Sequence, residues 1–67
     1  MPNLLLANKL IDELGGTGAA AGLLEKTDPA VSMWRKNGIP KSYMQLIRYK
    51  RPKIYKKVME DMRTQEG

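Results

Sequence analysis

Apolar residues recur every three to four positions along most of the chain, which is the spacing of an amphipathic helix. The clearest of these stripes lies near the N-terminus and consists of Leu6, Ala7, Leu10, Ile11 and Leu14. Asn3 is a suitable N-cap before this stripe, and Gly15-Gly16 is a typical stop signal after it. The pattern therefore predicts a first helix between Asn3 and Gly15.

Two short helices joined by a tight turn are predicted to follow. The first would begin at Thr17 and direct three residues toward the core, namely Ala20, Ala21 and Leu24. After a turn at Glu25-Lys26, the run Thr27-Asp28-Pro29 is a strong helix start, because a polar cap precedes a proline that fits the first helical turn. The helix it begins would end at Asn37-Gly38 and would have on one side Ala30, Val31 and Trp34.

The C-terminal half carries two further helical stripes, separated by Pro52. The fourth helix would begin at Pro40 and bury a face made of Tyr43, Met44 and Ile47. The fifth would use Ile54, Tyr55, Val58, Met59 and Met62. Prolines and lysines argue against a short strand between Ile39 and Tyr55. The predicted fold class is all-α, a small bundle of four to five short helices in a single domain spanning residues 1–67.

Composition removes several classes of chemistry. The 67 residues include no cysteine and no histidine, which excludes a disulfide framework, a zinc site and Ser-His-Asp catalysis. The carboxylate pairs Asp12-Glu13 and Glu60-Asp61 diverge on a helix surface instead of converging on a substrate. The glycines from Gly15 to Gly22 match no phosphate-binding loop and are expected to allow close helix crossing and a tight link. We therefore predict no enzyme, no catalytic residue, no metal and no cofactor.

The charge is strongly uneven along the chain. The net charge is +5, but residues 29–59 hold nine basic residues and no acidic one, while the remainder holds three basic and seven acidic residues. A basic block of this kind favours a polyanionic partner, either nucleic acid or an anionic membrane surface. No apolar run approaches the length of a spanning helix, so an intracellular soluble protein is expected.

The segment from Thr17 to Trp34 has the features of a helix-turn-helix unit, whose second helix enters the major groove of DNA. Such a unit needs a small residue where its helices cross, which Ala21 supplies, and apolar residues around the turn. Leu24 precedes the turn, and Val31 and Trp34 are three positions apart on the second helix, facing the core.

This segment resembles a known family. The runs Gly16-Thr17-Gly18-Ala19-Ala20-Ala21 and Pro29-Ala30-Val31-Ser32-Met33-Trp34, followed by Gly38-Ile39-Pro40, are similar to the helix-turn-helix of phage Cro proteins and related lambdoid repressors. The resemblance covers roughly residues 4–47. It implies a transcriptional repressor in the cytoplasm of a bacterial host, which binds double-stranded operator DNA as a homodimer and takes no small-molecule substrate. The family usually has glycine in the turn where Glu25-Lys26 stands, so either the turn is strained or its alignment shifts by one residue.

Candidate DNA contacts follow from the outward positions of the second helix of this unit. The predicted base-reading residues are Asp28, Pro29, Ser32, Met33 and Lys36. A carboxylate accepts from the cytosine amino group, and a methionine contacts the thymine methyl group. The predicted phosphate-binding residues are Thr17, Thr27, Arg35, Asn37, Lys41 and Ser42. The alternatives are helix capping for Thr27 and Asp28, surface tolerance for Met33, and a solvated face for the basic residues.

The C-terminal residues 49–67 are predicted to form a basic helix or tail. Arg48 to Lys53 is a basic run that would either contact DNA or serve as a solvated connector. The stripe formed by Ile54, Val58 and Met62 would be either core or a dimer surface. Lys53 to Arg63 also supports an alternative function, a basic amphipathic module that binds an anionic membrane surface or a protein partner. The leading prediction involves no membrane.

Overall fold

The computed structural model describes residues 4–66, and the side chains of residues 4–63. This stretch holds five helices and no strand: α1 (Leu4–Glu13), α2 (Thr17–Leu23), α3 (Asp28–Asn37), α4 (Lys41–Lys50) and α5 (Pro52–Glu66). The predicted all-α bundle of short helices is therefore confirmed. The cap predicted at Asn3 lies outside the described residues.

Local signals in the sequence set the helix ends. After α1, the N–H of Gly15 donates to the carbonyl of Asp12 and the N–H of Gly16 to that of Ile11, so a Schellman motif closes the helix with Gly15 at φ 111°. At the start of α3, the Ala30 N–H donates to the Thr27 hydroxyl oxygen at 3.3 Å, and proline follows in the first turn. These bonds satisfy backbone groups that a helix end would otherwise leave unpaired.

One apolar core joins all five helices. Its buried members are Leu10, Ile11, Ala20, Ala21, Leu24, Val31, Trp34, Ile47, Val58 and Met62. These positions belong to the helical stripes of the sequence, so the spacing correctly predicts which side of each helix faces inward. Burial of these side chains is the main stabilising contribution available to a chain this short, which has no disulfide.

Helix α5 packs against α1 and α4 and contributes to the core. Val58 is fully buried, Met62 is 8% exposed and Ile54 is partly buried against them. Two ion pairs link α5 to α1, Lys9–Asp61 at 3.7 Å and Glu13–Lys57 at 3.3 Å. The sequence predicts that Ile54, Val58 and Met62 lie either in the core or at a dimer surface. In the structure they belong to the core.

The glycine-rich segment differs in part from its prediction. A Cβ added to Gly15 would lie 2.9 Å from the Cβ of Ala19, so this glycine does allow a tight link between α1 and α2. A Cβ on Gly18 or Gly22 would meet no atom within 4 Å, and both residues are exposed. The expectation of close crossing at Gly18 and Gly22 is therefore wrong. The small buried residues of α2 are instead Ala20 and Ala21.

Within residues 4–66, no helix combines the length and the apolar character that a bilayer crossing requires.

Candidate nucleic-acid interface

Helices α2 and α3 pack against each other across the turn formed by residues 24–27. Leu24 is buried at the start of this turn, and the Lys26 N–H donates to the carbonyl of Ala21 at 2.8 Å. The Glu25 N–H donates to the carbonyl of Gly22 at 3.4 Å, so the turn is a Schellman motif with Glu25 at φ 55°. The sequence leaves two alternatives for this turn, backbone strain or an alignment shifted by one residue. The positive φ of Glu25 shows the strained turn.

The inner side of α3 is fixed by aromatic and apolar packing. Val31 is fully buried and Trp34 is 8% exposed. The ring of Trp34 lies 4.9 Å from that of Tyr43, centroid to centroid, which ties α3 to the first turn of α4. Because both sides of this contact are rigid rings, it limits rotation of α3 about its own axis.

The outer side of α3 carries all the predicted base-reading residues. Every one of them is exposed: Asp28, Pro29, Ser32, Met33 and Lys36. Their spacing places them along one helical face, opposite Val31 and Trp34. Met33 is 54% exposed, so this face includes an apolar side chain among polar and charged ones. The outer side therefore presents a carboxylate, a hydroxyl, an apolar group and an ammonium group in one continuous row.

Arg35 is different, because its guanidinium group bonds to side chains of α1 and α2. Its Nε donates to the Thr17 hydroxyl at 3.0 Å, Nη1 to Asn8 Oδ1 at 2.7 Å, and Nη2 to Asp12 Oδ1 at 2.8 Å. Asn8 also donates from Nδ2 to the Arg35 carbonyl at 3.1 Å. Two predicted phosphate ligands, Arg35 and Thr17, are thus bonded to one another and join α3 to α1 and α2. Asn8 and Asp12 carry no signal in the sequence that assigns them this role.

The other predicted phosphate-binding residues remain on the surface. Thr27, Asn37, Lys41 and Ser42 are all exposed. Thr27 is the N-cap of α3, which is the alternative role that the sequence suggests for it. This role does not prevent Thr27 from contacting DNA as well. Lys41 and Ser42 form the start of α4, where helix N–H groups are directed outward.

Lys26 joins this surface, although its position in the sequence indicates only a turn. Its ammonium group lies 5.0 Å from the centroid of the Tyr43 ring, so the turn before α3 lies against the first turn of α4. The contact places two exposed cations, Lys26 and Lys41, at neighbouring elements that flank α3. The signal that could have identified Lys26 as part of this surface is its position directly before Thr27, the N-cap of α3.

The acidic side chains of the described residues are scattered over the surface and form no metal-binding cluster. No group of three acidic, histidine or cysteine side chains in residues 4–66 could hold a metal ion. Within the described side chains, no buried polar atom is left without a partner. The distinctive surface is therefore the exposed side of α3 with its flanking cations.

Comparison with protein-family models, with curated proteins and with solved structures gave no match to this chain.

Proposed function

We propose that the protein is a sequence-specific DNA-binding repressor of the Cro type, in which α3 enters the major groove. The observation that carries the proposal is the division of α3 into two sides. Val31 and Trp34 anchor one side in the core, and the other presents a row of varied, exposed side chains. A helix held in this way can offer fixed groups to base edges, which is what direct readout requires.

Each group in the row suits a different base edge. Ser32 both donates and accepts, Met33 provides apolar contact for a thymine methyl group, and Lys36 donates to guanine acceptors. Asp28 accepts only, so its match is the cytosine amino group, and its carboxylate repels nearby phosphates. We expect Asp28 to lower overall affinity and to sharpen discrimination between sequences.

Phosphate contacts come from the cations and N–H groups beside α3. Lys26 and Lys41 are exposed and lie on elements that contact each other through Tyr43. Ser42 and the first N–H groups of α4 add neutral donors. Arg35 and Thr17 are also predicted phosphate ligands. Arg35 Nε donates to the Thr17 hydroxyl oxygen, which leaves the hydroxyl proton of Thr17 available to a phosphate.

The small number of base pairs that one α3 can contact favours a homodimer. One recognition helix reads only a few base pairs, and two copies on half-sites one helical turn apart would give a usable specificity. A dimer on operator DNA then represses by occupying the site that polymerase needs. Under this proposal the protein acts in the cytoplasm of a bacterial host.

Selection of bound sequences from a random DNA pool tests this function. The expected result is a palindromic consensus, whose symmetry would report both specific readout and dimer binding. Ser32→Ala and Met33→Ala should change the preferred bases, whereas Lys41→Ala should weaken binding to every sequence alike. Recovery of no consensus, or an equal loss on selected and random DNA for all three variants, would contradict direct readout by α3.

A further inference from the structure

A second surface, distinct from the outer side of α3, lies where α4 meets α5. A groove of about 360 Å³ opens there between Arg48, Pro52, Tyr55, Lys56 and Met59. A shallower depression of about 460 Å³ adjoins it and shares Arg48, with Gln45 and Tyr49 as its other lining residues. We call the first of these the corner groove.

The corner groove has an apolar floor and a basic rim. Tyr55 and Met59 are partly buried, and Tyr55 packs against the core, while Arg48 and Lys56 are exposed at the rim. Tyr49 stands beside it with 84% of its surface exposed, the most exposed of the large hydrophobic residues in the described part of the chain. Exposed aromatic and arginine side chains around an apolar depression are typical of protein-interaction surfaces.

The rim cations Arg48 and Lys56 form no ion pair with a described carboxylate, which is also true of other exposed cations such as Lys36. What sets Arg48 and Lys56 apart is that both border an apolar floor. Lys9, Arg35 and Lys57 each form an ion pair within the fold. Lys50 donates to the Leu23 carbonyl at 3.0 Å. Among the described residues, no carboxylate lies within ion-pair distance of Arg48 or Lys56. Two free cations beside an apolar floor therefore define a site that lacks its anionic complement.

We propose that the corner groove binds an acidic peptide segment of another protein, one that combines carboxylates with an apolar anchor. The anchor would lie on Pro52, Tyr55 and Met59, and the carboxylates would pair with Arg48 and Lys56. Charge complementarity selects this occupant, because opposite charges steer association and suppress partners of like charge. The proposal does not depend on DNA binding by α3.

A second copy of the chain is a poorer occupant. A two-fold contact through the corner groove would bring the Arg48 and Lys56 cations of both copies toward each other. Of the chain's own carboxylates, Asp12, Glu13 and Asp61 are already paired with Arg35, Lys57 and Lys9. Glu25 and Asp28 are exposed, but the apolar residue beside them, Leu24, is buried and offers no anchor. A DNA backbone would satisfy the rim cations but would leave the apolar floor without a partner, so DNA contact becomes an outcome of the test.

The test uses the full chain, labelled with ¹⁵N and titrated with a synthetic helical peptide built from glutamate and leucine. Two control peptides replace either every glutamate by lysine or every leucine by alanine. The matched protein variants are R48E/K56E, which alters the rim, and K53E/R63E, which makes the same charge change at exposed α5 positions outside the groove. Circular dichroism of both variants checks that the helices are retained.

The expected result is saturable shifts of amide signals around Arg48, Tyr55 and Met59 with the glutamate–leucine peptide only. R48E/K56E should weaken its binding about tenfold or more, and K53E/R63E by much less. No saturable binding, an equal loss in both variants, or equal binding of either control peptide would overturn the proposal. So would a specific loss of DNA affinity in R48E/K56E without peptide binding, which would make the groove a DNA contact.

Discussion

Arg35 shows how a single residue can have a structural role that its neighbours in the sequence do not indicate. It lies between exposed positions of a basic segment, and charge alone predicts a phosphate ligand. The fold instead turns its side chain toward Asn8, Asp12 and Thr17, and only about a quarter of that side chain is exposed. Arg35 therefore helps to hold α3 in place, and its contact with a phosphate stays a prediction.

Replacing Arg35 by methionine should lower the free energy of unfolding by about 2 kcal/mol, because several charge-assisted hydrogen bonds are lost and Asn8 and Thr17 lose a partner. Lys36→Met is the matched control, since Lys36 is the next residue on α3 and is exposed. It should change stability by no more than about 0.5 kcal/mol. Urea denaturation of both variants measures the difference, and equal midpoints would show that the network contributes no stability.

At the scale of the helices, the sequence predicts most of the architecture. Apolar spacing and caps such as Thr27 and Gly15 are local signals, and each depends on residues within one or two turns. The Arg35 network and the Lys26–Tyr43 contact join residues from different helices. Such pairs depend on how the helices cross, which no local pattern specifies. The sequence therefore predicts which residues lie on the exposed side of α3. It does not predict the contacts between helices that hold α3 in place.

The turn between α2 and α3 provides a test at this scale. Glu25 adopts φ 55°, a conformation that costs a residue with a Cβ about 1 kcal/mol and costs glycine nothing. Glu25→Gly should therefore raise the free energy of unfolding by about 1 kcal/mol. Glu25→Ala removes the same carboxylate but keeps the Cβ, so it should give no comparable gain. Thermal denaturation measures the stability of both variants. A similar gain in stability in both would mean that the lost carboxylate, and not backbone strain, causes the effect.

For the whole molecule, the decisive property is the distribution of positive charge over two surfaces. Lys26, Lys36 and Lys41 surround the outer side of α3, whereas Arg48 and Lys56 border the corner groove. The acidic residues Asp12, Glu13 and Asp61 are neutralised in ion pairs that involve α1. The net charge of +5 thus combines two basic surfaces with different proposed partners, DNA and an acidic peptide.

The dependence of DNA affinity on salt should separate these two surfaces. Each phosphate contact contributes about 0.9 to the slope of log K against log salt concentration. Lys41→Ala should therefore reduce the slope by about 1 per bound protomer. Lys56→Ala removes the same charge at the corner groove and should leave the slope unchanged, because a cation distant from the phosphates releases no counterion. Binding measured by fluorescence anisotropy over a series of salt concentrations gives both slopes. An equal reduction in the two variants would mean that the DNA backbone extends to the corner of α4 and α5, and that the two basic surfaces act as one.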